Sequence, residues 1–250
     1  MSRNFELLHE AGKAQEILRR RLEEAAPSPA IFVPGTPALQ IEGTAREEIT
    51  KLVQRLFLTS GTQGPRQVAF TGTEQGNGTS WICAHAADIL ASQVPGSVCV
   101  VDCDVRFPTL HAEFQVPNHY GLADALLGDE PIRQFAQQLS RSNLWLLSCG
   151  SRDDNSQHQL TLERMRRRMS ELRAQFDYVL LDVSPLNSSN HGMVLGSWCD
   201  GVVMVLKANS SSRKAARKAL DELQAARVPV LGAILNQRTF PIPASIYNRL

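Results

Sequence analysis

The sequence predicts an α/β fold in which helices cover both faces of a mostly parallel β-sheet. Its short apolar segments are continuous rather than alternating, which suits strands that are buried on both faces. Segments with helical spacing lie between most of these strands, as in repeated β-α-β units. Ligands of such folds bind beyond the carboxyl ends of the strands, so the motifs at those ends define the candidate site.

The first predicted helix begins at Thr44, because Thr44 and Glu47 fit a capping box. Its apolar stripe consists of Ile49, Leu52, Val53, Leu56 and Phe57. The strands that follow are predicted at residues 67–71, 98–101, 144–148, 178–181, 202–206 and 230–235. Between most of them, helices are predicted at residues 80–93, 122–127, 160–175, 191–198 and 211–227.

Three further segments flank this domain, which is predicted at residues 44–238. Residues 1–24 have the spacing of an amphipathic helix that ends in Arg19-Arg20-Arg21. That helix packs on the domain itself or docks on a partner or an anionic membrane, and the sequence leaves these alternatives open. Residues 25–43 are rich in proline and glycine and predict a linker, and residues 239–250 are predicted to be a C-terminal tail.

Composition excludes several classes of protein. The 250 residues are 43% apolar and 20% charged with a net charge of +1, which is typical of a soluble globular protein and argues against a nucleic-acid partner. The five cysteines form no CxxC pair, so we expect reduced thiols. No apolar run approaches the roughly 18 residues of a membrane span. We therefore expect a cytoplasmic location, with peripheral contact to the inner face of the membrane only through a partner.

A glycine-rich loop follows the first predicted strand, in Thr71-Gly-Thr-Glu-Gln-Gly-Asn-Gly-Thr-Ser80. Its glycines let backbone N–H groups and the start of the next helix face a phosphate. The candidate nucleotide-binding residues of this loop are Gly76, Asn77, Gly78, Thr79 and Ser80. The P-loop pattern GxxxxGK[ST] deviates at two positions, because Thr73 replaces its first glycine and Thr79 its lysine. Taken alone, the loop fits a plain glycine-rich turn equally well.

Three aspartates stand at the carboxyl ends of two predicted strands. Asp102 and Asp104 lie in Asp102-Cys-Asp-Val-Arg106, and Asp182 lies in Leu181-Asp-Val-Ser-Pro185. Carboxylates beside a phosphate loop suit Mg²⁺, which keeps several waters and takes one or two carboxylates plus phosphate oxygens. We therefore predict Asp102, Asp104 and Asp182 as the catalytic residues of an active enzyme, and Ser80, Asp102 and Asp182 as Mg²⁺ ligands.

The order of these motifs over residues 44–238 resembles the bacterial tyrosine kinases (BY-kinases) of capsule and exopolysaccharide synthesis, which are relatives of the MinD/ParA P-loop ATPases. The resemblance implies a P-loop NTPase-like sheet and a site for ATP or ADP with Mg²⁺, to which Arg106 contributes. It also implies that Asn236, in Gly232-Ala-Ile-Leu-Asn236, contacts the adenine. The partner that it implies is a membrane-spanning polysaccharide co-polymerase or export protein.

One departure from the family is Thr79, which stands in place of the loop lysine, and residues 52–206 contain no lysine at all. A lost charge-assisted contact costs about 1.5–3 kcal/mol. Nucleotide binding is therefore expected to be weakened and hydrolysis slowed further. The candidates for replacing the lysine from elsewhere in the chain are Lys207, Arg66 and Arg106.

The second departure concerns tyrosines and assembly. The kinases carry a tyrosine cluster in the tail, whereas only Tyr247 of the three tyrosines lies in this tail. The family's E-x-x-R-x-x-R oligomerisation motif is matched only loosely, by Glu48, Lys51 and Arg55. Whether the chain forms a homo-oligomer and whether Tyr247 is phosphorylated therefore stay open.

Three functional hypotheses follow. The leading one is a degenerate BY-kinase-like protein, a pseudokinase of exopolysaccharide biosynthesis or export, that acts as a regulatory or scaffold partner with weak or no ATP hydrolysis. The first alternative is an active ATP-dependent tyrosine autokinase or ATPase. The second is a MinD/ParA-type positioning ATPase associated with the membrane, for which the predicted helix at residues 1–24 is the motivation.

Overall fold

The computed structural model describes residues 39–41, 43–59, 64–150 and 161–238. The strands in these ranges are β1 Gln67–Gly72, β2 Val98–Asp102, β3 Gln137–Gln138, β4 Leu144–Leu147, β5 Tyr178–Val183, β6 Gly201–Lys207 and β7 Val230–Asn236. They form one sheet with the order β3-β4-β2-β5-β1-β6-β7. Only β3 and β4 pair antiparallel. The predicted mostly parallel sheet is therefore confirmed, and all six strands predicted from the sequence are present.

The α-helices in the same ranges are α1 Gly43–Val53, α2 Thr79–Gln93, α3 Leu110–Glu113, α4 Leu122–Leu127, α5 Leu162–Gln175, α6 His191–Ser197 and α7 Arg213–Ala225. A π-helical turn, Gln54–Leu58, continues α1, and a 3-10 turn spans Ile132–Phe135. The predicted helices agree with these bounds within two residues. The sequence did not predict α3, the 3-10 turn or β3, because segments of two to four residues are too short to show a periodic pattern.

The core lies on both faces of the sheet. Strand side chains alternate between faces, so Val68 and Phe70 of β1 pack in the cluster beneath α1 and α2, whereas Ala69 packs in the cluster beneath α4, α5 and α7. All six residues of β1 are buried. The five cysteines are free, and four of them are buried. The prediction of helices on both faces is therefore confirmed.

The first helix buries the predicted stripe and begins slightly earlier than predicted. Ile49, Val53 and Phe57 are buried in the core cluster. Because α1 begins at Gly43, Thr44 lies in its first turn, and the prediction of Thr44 as the N-cap residue is wrong. Ile41 also belongs to the core cluster, so the end of the predicted linker packs on the domain.

The predicted N-terminal helix at residues 1–24, the linker up to residue 38 and the tail at residues 239–250 with Tyr247 lie outside the described residues. These assignments stay predictions. Within the described ranges, no helix is both long enough and apolar enough to cross a membrane.

Candidate nucleotide site

The glycine-rich loop connects β1 to α2 and places the start of α2 at the carboxyl edge of the sheet. Gly76 and Gly78 have φ values of 82° and 81°, a left-handed conformation that favours glycine. Gly78 immediately precedes Thr79, the first residue of α2. The loop therefore has the strand, turn and helix geometry in which backbone N–H groups face an anion.

Asn77 anchors this loop from within. Its side chain is buried, and its Nδ2 donates hydrogen bonds to Val205 O at 2.9 Å and to Thr73 Oγ1 at 3.2 Å. From the end of β7, Asn236 Nδ2 donates to Asn77 O at 2.9 Å. A Cβ atom on Gly78 would collide with that Asn236 amide. Asn236 therefore holds the loop in this structure, and its contact with adenine stays a prediction.

Asp102 and Asp182 stand side by side at the ends of neighbouring strands, because β2 pairs with β5 in the register Asp102↔Asp182. Both oxygens of Asp102 accept hydrogen bonds, Oδ1 from the N–H of Asp104 and Oδ2 from the N–H groups of Thr109 and Leu110 at 3.0 Å each. Burial nevertheless raises the pKa of Asp102 from its ordinary 3.8 to about 7. Asp102 therefore also positions the start of α3.

Asp182 is only 2% exposed, and its Oδ2 has no hydrogen-bond partner among the described residues. Its burial and the nearby Asp102 carboxylate hold the pKa of Asp182 well above its ordinary value, although a hydrogen bond to the Ser80 side chain partly lowers it. A buried, unpartnered carboxylate oxygen is costly, so this atom marks a place for a ligand from outside.

Asp104 organises the turn after β2. Its Oδ1 accepts hydrogen bonds from Ser184 Oγ at 2.8 Å and from the N–H groups of Arg106 and Phe107 at 3.1 and 3.3 Å. The Arg106 side chain is exposed and donates to Ser188 O at 3.2 Å. Asp104 and Asp182 therefore lie at the same edge of the sheet, whereas the Arg106 side chain contacts the loop after β5.

A cleft opens between the phosphate loop and these aspartates, and we call it the acidic cleft. It is lined by Glu74, Gln75, Gly76, Asn77, Gly78, Thr79, Ser80, Trp81, Asp104, Phe107, Thr109, Glu113, Asp182, Val183 and Pro185. Four of these residues are acidic, and none is lysine, arginine or histidine. Glu74 and Glu113 were not predicted from the sequence as residues of this site. Glu74 could have been noticed from its place inside the loop, but Glu113 lies in the unpredicted helix α3.

The cations that could have replaced the missing lysine lie elsewhere in the described part of the chain. Arg66 is at the opposite end of β1 from the loop, where its Nε donates to Asp177 O at 2.8 Å, so it does not replace the lysine in this structure. Neither Lys207 nor Arg106 lines the acidic cleft. Lys207 instead lines a separate cleft with Arg213 and Arg238.

The residues present fit Mg²⁺ better than they fit a phosphate chain. The unpartnered Oδ2 of Asp182 and the hydroxyl of Ser80 are hard oxygen donors of the kind that Mg²⁺ prefers. Among the described residues, no group of three or more acidic, histidine or cysteine side chains forms a metal cage, so an ion would need waters and ligand oxygens as well. For phosphates, the loop offers backbone N–H groups but no cationic side chain.

Comparison with known proteins agrees with this geometry. Residues 66–227 match the model of the family "Cellulose biosynthesis protein BcsQ". The tyrosine-protein kinase YwqD of Bacillus subtilis (strain 168) is 30% identical over 171 residues, which are 68% of this chain and 72% of YwqD. The chain spans only 25% of a longer putative tyrosine-protein kinase that is also 30% identical.

Two solved structures show the same fold at lower identity. The chimerical protein CapA2B2 is similar with a TM-score of 0.73 and 19% identity, over 89% of this chain and 99% of that one. The septum site-determining protein MinD from Pyrococcus horikoshii OT3, complexed with Mg-ADP, has a TM-score of 0.60 and 20% identity, over 74% and 76% of the two chains. With these matches to its sequence, the chain belongs to the family described as "Cellulose biosynthesis protein BcsQ" and is related to the tyrosine-protein kinase YwqD.

Proposed function

We propose that this chain is a degenerate member of its family, a regulatory or scaffold partner of the polysaccharide export machinery with weak or no ATP hydrolysis. The observation that carries the proposal is the charge of the acidic cleft. Thr79 stands where the family has a lysine, and among the described residues no cationic side chain lines the cleft. Four acidic side chains line it instead.

The missing cation affects binding and chemistry differently. Without it, a charge-assisted contact of about 1.5–3 kcal/mol to the phosphates is lost. The neighbouring carboxylates add repulsion, which Mg²⁺ offsets only in part. Phosphoryl transfer depends almost entirely on positioning and on stabilising negative charge, so its rate falls further than the affinity does.

The remaining residues could still hold a nucleotide weakly. Backbone N–H groups from Gly76 to Ser80 would bind the phosphates, and Asn236 would contact the adenine. Ser80 and Asp182 would hold Mg²⁺, with Asp102 beside them. When bound, Mg²⁺ supplies positive charge against the phosphate oxygens. Asp104 would maintain the turn that brings Phe107 over the cleft.

A protein that retains the kinase fold but does not hydrolyse ATP would act by binding a partner. The partner that we propose is a membrane-spanning polysaccharide co-polymerase or export protein, which would hold this chain at the cytoplasmic face of the membrane. Family membership in polysaccharide synthesis supports this partner class. The net charge of +1 supports a role without nucleic acid.

The direct experiment measures ATP turnover and tyrosine phosphorylation of the purified chain with Mg²⁺, for the wild type and for Asp102→Asn. We expect no turnover above the background of the Asp102→Asn variant and no phosphate on tyrosine. Turnover or autophosphorylation in the wild type that disappears in Asp102→Asn would contradict the proposal and identify an active enzyme.

A further inference from the structure

The acidic cleft contains two glutamates that pair with no cationic side chain in the described part of the chain. Glu74 and Glu113 are both half-buried, and neither forms an ion pair there. Asp104 and Asp182 lie deeper in the same cleft. Like charges held together at partly buried positions repel each other, so a cationic ligand that enters the cleft is stabilised.

A second observation is independent of the number of carboxylates. Asp182 is 98% buried, lines the cleft, and has an Oδ2 atom without any hydrogen-bond partner among the described residues. Buried polar atoms are rarely left unpartnered in native proteins. The cleft therefore contains an acceptor atom that is positioned for a donor from another molecule.

The third observation distinguishes between kinds of cation. Phe107 is 55% exposed, although most large apolar side chains are buried, and it lines the cleft beside the carboxylates. An exposed aromatic face next to carboxylates matches a guanidinium group, which stacks on aromatic rings and donates paired hydrogen bonds to carboxylates. A hydrated metal ion or a lysine ammonium uses the aromatic face less well.

We propose that the acidic cleft binds an arginine side chain from a basic cytoplasmic segment of the membrane-spanning partner. The inference rests on the proposed function, because a cleft used for ATP would not be available to a partner. It also rests on a general property of membrane proteins, whose short cytoplasmic segments next to the membrane are enriched in lysine and arginine. The family binds nucleotide at this site. In this chain, charge complementarity favours a protein ligand there instead.

The test titrates the full chain with a fluorescent, end-blocked peptide in which three arginines alternate with glycines. Matched peptides carry lysine or citrulline in place of arginine, and anisotropy gives the Kd values at low ionic strength. We expect the arginine peptide to bind about tenfold more tightly than the citrulline peptide, and binding to weaken with added salt. Equal Kd values for the arginine and citrulline peptides would overturn the proposal.

Variants locate the binding site. Glu74→Gln combined with Glu113→Gln is expected to raise the Kd of the arginine peptide about tenfold. Phe107→Leu is expected to reduce the preference for arginine over lysine. The matched controls are Glu163→Gln and Leu162→Ala on α5, since Leu162 is 63% exposed and lies outside the acidic cleft. Controls that weaken binding as much as the cleft variants would contradict the proposal.

The remaining outcomes identify other occupants of the cleft. If only a variant with Arg19→Gln, Arg20→Gln and Arg21→Gln binds the peptide, the chain's own arginines occupy the cleft and the partner assignment is wrong. If Mg²⁺ alone binds and the peptide does not, the cleft is a metal site and the proposal is also wrong.

The two proposals fail separately. A chain without ATP turnover that does not bind the peptide contradicts this inference alone. A chain that turns over ATP and also binds the peptide in the cleft contradicts the proposed function, whereas turnover without peptide binding contradicts both.

Discussion

Arg168 and Asp182 are equally buried ionisable side chains in two regions of the domain, and their hydrogen-bond partners differ. Both side chains are 2% exposed. Arg168 Nε donates to Ala125 O at 2.7 Å, and its other nitrogens reach the carbonyls of Gly128 and Glu130 and the carboxylate of Glu171. Asp182 has an oxygen without a partner in the described chain. A buried charge that the chain compensates itself is structural, whereas one left uncompensated marks a site for an outside ligand.

The largest expected effect on stability comes from replacing Arg168. Arg168→Met removes the guanidinium that donates hydrogen bonds to three backbone carbonyls. It also removes the ion pair with Glu171, in which Arg168 Nη1 lies 2.6 Å from Glu171 Oε2. Breaking a buried pair in this way costs about 3–5 kcal/mol. We therefore expect the free energy of unfolding, measured by urea denaturation, to fall by that amount.

The neighbouring Arg167 provides the matched control on the same helix. It pairs with Asp129 at 2.9 Å, but these side chains are 55% and 82% exposed. Arg167→Met is therefore expected to change the free energy of unfolding by less than about 1 kcal/mol. Similar losses for both variants would show that burial does not separate the two arginines.

The next expected effect is a dependence of stability on pH that comes from the buried aspartates. The folded chain raises the pKa of Asp102 from 3.8 to about 7, so between these values it keeps a proton that the unfolded chain has lost. The contribution of Asp102 to stability is therefore fully present below about pH 4 and is lost as the pH rises to about 7. The expected loss is about 2–4 kcal/mol, measured by urea denaturation without Mg²⁺.

A rise in stability with pH would contradict the contrast between Arg168 and the buried aspartates. If stability increased over this pH range, the acidic cleft would already be compensated within the chain. Asp102 and Asp182 would then be structural in the same sense as Arg168.

A smaller effect tests Asp182 directly. Asp182→Asn replaces the buried carboxylate by a neutral group of similar shape, and we expect it to stabilise the folded state by about 1–2 kcal/mol at pH 8. The gain should shrink as the pH falls toward the ordinary pKa of an aspartate, because the unfolded chain then binds the same proton that burial keeps on Asp182 in the folded chain. Asp221→Asn is the control, because Asp221 is 56% exposed and, among the described residues, pairs with exposed Arg217. Destabilisation by Asp182→Asn at pH 8 would assign Asp182 a structural role.

The sequence predicted the fold and much of the candidate site for a simple reason. The carboxyl ends of parallel strands meet at one edge, so Asp102 and Asp182 had to lie near the loop before α2. Glu113 and Phe107 could not be predicted, because their positions depend on the turn that Asp102 and Asp104 hold by local hydrogen bonds. The position of Lys207 outside the cleft could not be predicted either, since it depends on the packing of β6 beside β7.

The most direct test of the central claim compares the affinity of the wild type and of Thr79→Lys for ATP with Mg²⁺ by calorimetry. A cation restored at the loop should bind the phosphates about ten- to a hundredfold more tightly, if its absence is what weakens the site. The account predicts weak or no binding by the wild type and a gain of that size in the variant. Tight binding by the wild type, with no gain in Thr79→Lys, would contradict it.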